Sequence, residues 1–279
     1  MTFEAVSYES IPHALISGIA ISLLCSVVGL FLVLRKFSLF GDALAHSAFG
    51  GVAFGLFIGI YPLWIACAVA ILSALGLSKI RQKFDISGDA IVAILLSTGL
   101  GAGVILVSLT EDFEFHDIEE FLVGSAIVDT QNVVTILALA GIILTILFFT
   151  YKKILYSTFS EEQAKASGIP VEKMSYLLIT MAGVTVVISM QLVGVLLISA
   201  LFVLPNVSAM LYARSFKQTV ILSMSFAVFA TVSGIIMSYQ FEIAQAGCIV
   251  LVAAAIFVGS LVAKGSGLVK TAGILAKRA

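Results

Sequence analysis

Two residues of this sequence have the types and spacing that could bind a metal ion, Asp42 and His46 in the stretch SLFGDALAHSAFGGVAFG. On a helix, residues four apart project from the same face, with Cβ atoms about 6 Å apart. A carboxylate and an imidazole in this arrangement can share one divalent cation, and oxygen and nitrogen ligands suit Zn, Mn or Fe(II). The alternative is structural, with Asp42 capping the N-terminus of its helix and His46 a satisfied neighbour. The spacing by itself leaves both interpretations open.

Other positions could shape a pathway near this pair. Gly41 directly precedes Asp42, where a glycine allows a helix to be interrupted. The stretch QLVGVLLISALFVLPNVSAML places polar groups and a helix breaker at membrane depth, which is costly unless they face a cavity or another helix. Its candidate pathway or kink positions are Gln191, Gly194, Pro205 and Asn206. The alternative for all of them is plain helix packing. Close approach by a neighbouring helix is predicted by a row of glycines, Gly41, Gly50, Gly51, Gly55 and Gly59.

Enzyme classes can be tested by the motifs that they need. The HExxH motif of zinc proteases is absent, and Asp42 has no second carboxylate within an apolar span, as an intramembrane aspartyl protease would need. The GxxxxGK[ST] phosphate-binding loop is also absent, so any ATP must be hydrolysed by another chain. We therefore predict no catalytic residue and no covalently bound cofactor.

The composition indicates what kind of scaffold must position these residues. Of the 279 residues, 61% are hydrophobic and 11% are charged, and the mean hydropathy is +1.17. A soluble domain carries about 45–50% apolar and about 25% charged residues. The chain is therefore expected to be an all-α, polytopic transmembrane helical bundle. Its net charge of −1, without a basic tail, gives nucleic acid no electrostatic footprint.

About nine apolar segments can be drawn, at about 20 residues per bilayer crossing; eight crossings with a re-entrant segment are the alternative. Their approximate bounds are 12–34, 40–60, 62–78, 90–109, 132–151, 174–190, 193–213, 218–238 and 243–262. With the N-terminus outside, all 15 Lys and Arg residues fall on the inner side, as the positive-inside rule requires. The C-terminus is then cytoplasmic. We predict one transmembrane domain, 1–263, followed by a cytoplasmic tail, 264–279.

Two connections are longer than a tight turn. The outer one, 110–131, is acidic first and apolar later, which predicts a short helix on or in the membrane surface. The inner one, 152–173, contains Ser160 followed by two glutamates, a pattern typical of an N-cap and an acidic first turn. Gly168 and Pro170 then indicate a helix stop. This pattern predicts a cytoplasmic helix of about two turns.

Three stretches resemble the ABC-3 family, the membrane permeases of zinc, manganese and iron ATP-binding-cassette importers. The segment RKFSLFGDALAH, 35–46, continuing to GVAFG at 51–55, is similar to the family signature RRMSxxGDxxxHAxxxGVAxG. The segment FSEEQAKASGI, 159–169, resembles the cytoplasmic coupling helix of the family. The segment 193–205 resembles its VGxLLxxALLxxP helix. The three stretches occur in the family's order and separation.

The resemblance implies the roles of particular residues. Asp42 and His46 match the family's metal-binding Asp and His on the transport path. The positions that match the coupling helix, which docks on a separate ATPase, are Ser160, Glu161, Glu162, Ala164, Lys165 and Gly168. The resemblance also implies a homodimer in the cytoplasmic membrane, with two cytoplasmic ATPase subunits and an extracytoplasmic metal-binding protein. The divalent metal is then the substrate, and the partner subunit uses ATP.

Other functions remain as alternatives at this point. One is a permease for a bulkier iron-chelate or cobalamin-type substrate, which needs a wide pathway and no inward-facing Asp/His pair. Others are an ion-driven transporter or channel without an ATPase partner, and an intramembrane enzyme. The chain also departs from the family pattern at Phe49-Gly50 and at Pro205-Asn206-Val207. The Asp/His motif is shared by zinc and manganese importers and does not identify the metal. Because histidine is a common zinc ligand, we slightly favour zinc as the substrate.

Overall fold

The computed structural model describes residues 10–84, 88–109, 122, 124, 130–195 and 198–266. Within these residues the regular structure is helical, as the composition predicts. The helices are α1 (Ser10–Leu34), α2 (Phe40–Phe57), α3 (Pro62–Phe84), α4 (Gly88–Ser108), α5 (Thr130–Phe159), α6 (Glu161–Ala166), α7 (Val171–Val193), α8 (Ile198–Tyr212), α9 (Phe216–Phe241) and α10 (Gln245–Gly265).

Each of the nine predicted segments overlaps one of these helices, α6 being the short addition. Seven helices are long and apolar enough to cross a membrane: α1, α3, α4, α5, α7, α9 and α10. The other two long elements are α2, with 18 residues, and α8, with 15. At 1.5 Å per residue, α8 is about 22 Å long, less than the roughly 30 Å of a hydrocarbon core. The count of nine crossings therefore stays a prediction.

Helix α5 is longer than its apolar pattern indicates. The drawn segment ends near residue 151, but the helix continues to Phe159 and has 30 residues. Its last two turns are held in place because Ile154 and Ser157 are buried against the bundle. The first part of the predicted inner connection, 152–159, is therefore helix rather than loop. At about 45 Å, α5 exceeds the thickness of a hydrocarbon core.

Helices α1 and α7 lie at the centre of the bundle and are buried over most of their length. The outer helices expose large apolar side chains instead; Phe148 and Phe149 on α5 are 79% and 78% exposed. In water such faces would be costly, whereas in lipid they match their surroundings. This arrangement is that of a multi-pass membrane protein.

Two predicted segments lie largely outside the described residues. These are the outer connection, 110–131, with its predicted surface helix, and the tail, 264–279. Of the outer connection, Gly124 is described, and its φ of +89° is a conformation that favours glycine. A Cβ atom there would lie 2.4 Å from the carbonyl oxygen of Leu192, so this point of the connection rests against the end of α7.

Candidate metal site

The candidate site begins where α1 turns into α2. Lys36 has a φ of +62°, Phe37 N donates to the carbonyl of Leu32, and Lys36 N donates to that of Val33. This pair of bonds is the Schellman pattern that ends a helix. Five residues, 35–39, separate the two helices, so Asp42 is the third residue of α2.

Asp42 and His46 lie on one face of α2, as the spacing predicts. The Nε2 atom of His46 is 3.9 Å from Oδ1 of Asp42, and their side chains are 10% and 24% exposed. That distance is too long for a direct hydrogen bond. A cation about 2 Å from each ligand atom can bridge it. The Nδ1 atom of His46 is buried without a hydrogen-bond partner among the described residues.

The structural alternative for Asp42 fits less well. The N-cap position of α2 is Leu39, and no side chain makes a capping hydrogen bond there. Asp42 lies in the first turn, where the helix dipole favours a negative charge. It therefore benefits from the helix end without capping it, and its carboxylate stays available to a ligand.

Glycines allow α2 to pack closely against two neighbouring helices. The close approach predicted from the glycine row is found at Gly50, Gly51 and Gly55, whereas an added Cβ on Gly59 would meet no atom within 4 Å. A Cβ atom on Gly99 of α4 would lie 2.7 Å from the carbonyl oxygen of His46 and from N and Cα of Ser47. On another face, a Cβ atom on Gly51 would lie 2.8 Å from Cα of Ala66 on α3. The backbone that carries His46 is thus fixed by direct contact with α4.

Helix α8 closes the start of α2. The ring of Phe202 lies 3.6 Å from where a Cβ atom on Gly41 would stand, an ordinary contact distance. Gly41 does not interrupt the helix, because α2 runs without a break from Phe40. A Cβ atom on Gly29 of α1 would lie 2.6 Å from the carbonyl of Phe202, so α1 and α8 also approach closely.

Asn206 belongs to a buried polar network. It is fully buried, and its Nδ2 donates to the carbonyl of Phe202 at 2.7 Å. Its Oδ1 accepts from the hydroxyl of Ser223 on α9, which lies 2.9 Å from the hydroxyl of Ser26 on α1. Pro205, inside α8, is buried beside it. The network joins three helices at a depth where unsatisfied polar groups are costly.

Gln191 and Gly194 lie at the other end of the bundle from Asp42 along α7. Gln191 is half-buried in the last turn of α7, and Gly194 ends the helix with a φ of +73°. Its N–H donates to the carbonyl of Met190 at 2.9 Å. A Cβ atom on Gly124 would lie 2.9 Å from Gly194 N. The sequence singled out Gly194 but missed Gly124, whose contact spans distant parts of the chain.

The short helix expected in the inner connection is present as α6. The Ser160 hydroxyl accepts from Gln163 N at 3.3 Å, so Ser160 is the N-cap as predicted. Glu161 and Glu162 occupy the first turn. Both are exposed, whereas Ala164 is fully buried against the bundle. After exposed Lys165, the chain leaves α6 through Gly168, whose φ is +74°.

Sequence analysis identified Arg35 as part of a family motif and as a positive charge on the inner side, but it did not predict the contacts that Arg35 makes. Its guanidinium donates to the hydroxyls of Ser157, Thr158 and Ser175, at 2.7, 3.1 and 2.7 Å. Burial lowers the pKa of Arg35, and the negative charge of Glu161 acts in the opposite direction. The sequence shows only a cation at the end of an apolar segment, and the hydrogen-bond partners of Arg35 lie more than 120 residues away in the chain.

The described part of the chain contains no group of three or more His, Cys, Asp and Glu residues that could hold a metal ion. Asp42 and His46 could therefore offer two side-chain ligands, fewer than the four of a closed structural zinc site. Two ligands suit an ion that must bind and then leave.

The chain is similar to known proteins over most of its length. The model of the ABC 3 transport family matches residues 7–264. The chain is 29% identical to the high-affinity zinc uptake system membrane protein ZnuB of Haemophilus influenzae, over 91% of this chain and 97% of that one. It is 28% identical to the manganese transport system membrane protein MntC of Halalkalibacterium halodurans, over 91% and 87%.

A solved structure has the same fold. PsaBC from Streptococcus pneumoniae in complex with Fab superimposes with a TM-score of 0.83 at 32% identity, covering 91% of this chain and 92% of that one. Family match and structural likeness both extend over most of the chain, and the family match includes α2 and α6. This chain belongs to the ABC 3 transport family.

Proposed function

We propose that this chain is the permease subunit of an ATP-binding-cassette importer that moves a divalent transition metal ion, Zn, Mn or Fe, into the cell. The observation that carries the proposal is the Asp42–His46 pair, 3.9 Å apart on a closely packed helix. The chain is a transport subunit and not an enzyme, and ATP is hydrolysed by a separate ATPase chain.

The two side chains act by replacing part of the hydration shell of the ion. A carboxylate and a neutral imidazole are ligands for Zn, Mn and Fe(II) alike. Relatives named for zinc and for manganese support a divalent metal and do not favour one of the two. Gly41 beside the pair, with Gln191, Gly194, Pro205 and Asn206, completes the candidate pathway or kink positions.

The orientation that we propose has the N-terminus outside, the C-terminus in the cytoplasm and nine crossings, counting α2 and α8. It is supported by the positive charges, because all 15 Lys and Arg then lie on the inner side. Asp42 lies near that inner end, eight residues after α1 ends at Leu34.

The assembly that we propose is a homodimer with two cytoplasmic ATPase subunits and an extracytoplasmic metal-binding protein. Helix α6 is the proposed contact with the ATPase, through Ser160, Glu161, Glu162, Ala164, Lys165 and Gly168. Its exposed polar face and buried Ala164 support this, because the helix is anchored on one side and free on the other.

The proposal is tested by uptake of zinc, manganese and iron isotopes into vesicles that contain the complete importer. We expect Asp42→Ala and His46→Ala each to lower uptake by about tenfold or more, since even residues behind metal ligands cost that much. The matched control is His13→Ala, a histidine near the opposite end of α1, which should transport normally. Normal metal uptake in both site variants would show that Asp42 and His46 have a structural role and do not bind the transported ion. Uptake of a metal chelate or cobalamin without free-ion transport would overturn the substrate.

A further inference from the structure

The inner end of the bundle contains a joint between three helices, made by one side chain. Arg35 follows the last residue of α1, and its guanidinium binds Ser157 and Thr158 at the end of α5 and Ser175 in the first turns of α7. These are the two helices that flank α6 in the chain. We propose that Arg35 is a positioning residue that transmits displacement of α6 to the start of α2, where Asp42 and His46 lie.

One side of the joint moves with α6. Ser157 and Thr158 lie three and two residues before its N-cap, Ser160, and Ser175 lies seven residues after Gly168. Helix α6 contacts both α5 and α7, and its Ala164 is fully buried, so a push on α6 displaces both helix ends together. The guanidinium holds both ends through three separate N–H groups.

The other side of the joint is the turn between α1 and α2. Arg35 immediately precedes Lys36, whose left-handed backbone is fixed by the two Schellman hydrogen bonds. The rings of Phe37 and Phe40 are in contact, with centroids 5.6 Å apart, so the turn packs on the first residue of α2. Asp42 is two residues further along the same helical turn. A displaced guanidinium therefore pulls on a short and well-defined connection.

Geometry makes arginine suited to this place. Its planar fork presents five N–H donors in fixed directions, whereas a lysine ammonium is a single point with freely rotating donors. Each of the three acceptors is bound by a different guanidinium nitrogen, whereas a lysine would have to reach all three from one nitrogen. This inference rests on the proposed function, since it assumes that α6 meets the ATPase and that the pair binds the transported ion.

The test uses the complete importer in vesicles and measures metal ions imported per ATP hydrolysed. We expect Arg35→Gln to lower this ratio by about tenfold, in the range of typical couplings between sites, while the ATPase still co-purifies. Arg35→Lys should restore part of the ratio. The matched control is Lys36→Gln, which removes an exposed cation from the same turn and should leave the ratio unchanged.

A second variant keeps the test decisive if Arg35→Gln does not fold. The double variant Ser157→Ala, Ser175→Ala removes two acceptors, retains the cation, and should lower the same ratio. If metal uptake and ATP hydrolysis fall in proportion in these variants, the ratio of ions imported per ATP is unchanged. Arg35 then only stabilises the structure, and the inference is overturned. If the wild-type importer moves no metal, the proposed function is overturned first, and this inference with it.

Discussion

The position of His46 depends on a missing side chain on the neighbouring helix. Gly99 lets α4 contact the backbone of His46 and Ser47, and a Cβ atom there would lie 2.7 Å from atoms that cannot move cheaply. We expect Gly99→Ala to push α4 from α2, to cost about 1–3 kcal/mol of stability and to reduce metal uptake. Thermal unfolding in detergent and isotope uptake measure both effects.

The control for this substitution is on the same helix. Gly101 has no atoms within 4 Å of the position of an added Cβ. Gly101→Ala should therefore leave the midpoint of unfolding unchanged or slightly raised, because alanine is the better helix former. If the two variants behave alike, close packing at Gly99 does not position His46.

Substitution of Asn206 can distinguish a role in helix packing from a role in the transport pathway. Asn206→Ala would leave Ser223 without its acceptor, and we expect a loss of about 1–3 kcal/mol in the free energy of unfolding. A double-mutant cycle with Ser223→Ala should show that the two losses are not additive. Altered metal uptake at unchanged stability would contradict the packing role and favour a pathway role.

At this scale, sequence reasoning found the contacts that local geometry dictates. Asp42 and His46 follow from the repeat of a helix, and Ser160 follows from the capping preference of serine. Arg35 and Gly99 could not be found in that way. Their partners are remote in the chain, and no local rule specifies which hydroxyl or backbone a side chain will meet.

Among the elements, α6 depends on how the chain leaves it. Gly168 has a φ of +74°, a conformation that costs a residue with a Cβ atom about 1 kcal/mol or more. We expect Gly168→Ala to shift the end of α6 and to weaken binding of the ATPase. The measurement is the dissociation constant between the purified permease and its ATPase.

A matched glycine separates backbone strain from position. Gly59 follows α2 with a φ of +72°, and no atoms lie within 4 Å of an added Cβ, as at Gly168. Gly59→Ala should impose a similar strain at the other end of α2, away from the start that carries Asp42, without weakening the ATPase complex. Equal weakening in both variants would argue against α6 as the ATPase contact.

Helix ends were less predictable than helices. Each of the nine apolar segments overlaps a helix, but the pattern ended α5 early, because Lys152 and Lys153 mark where apolar character stops. Polarity records where a membrane ends, whereas buried side chains such as Ile154 decide where a helix ends. The two boundaries differ where a helix projects beyond the bilayer.

At the scale of the whole molecule, the polar contacts of Arg35 lie at one end of an apolar helical bundle. Its centre is α1 and α7, and its lipid-facing surface is formed by helices that expose apolar side chains. The composition predicts this all-helical class, since so apolar a chain has few other ways to satisfy its backbone in lipid. The crossing count cannot be predicted as well, because α8 is shorter than a full span.

The hydrogen-bond partners of Arg35 differ from those found in a buried ion pair. All three are neutral hydroxyls, and no described carboxylate lies within ion-pair distance of the guanidinium. Water can take the place of a hydroxyl at little net loss, whereas separating a buried ion pair leaves an uncompensated charge. A joint of this kind can therefore stay closed while the ends of α5 and α7 shift, because a hydroxyl lost during the movement can be replaced by water without leaving an uncompensated charge.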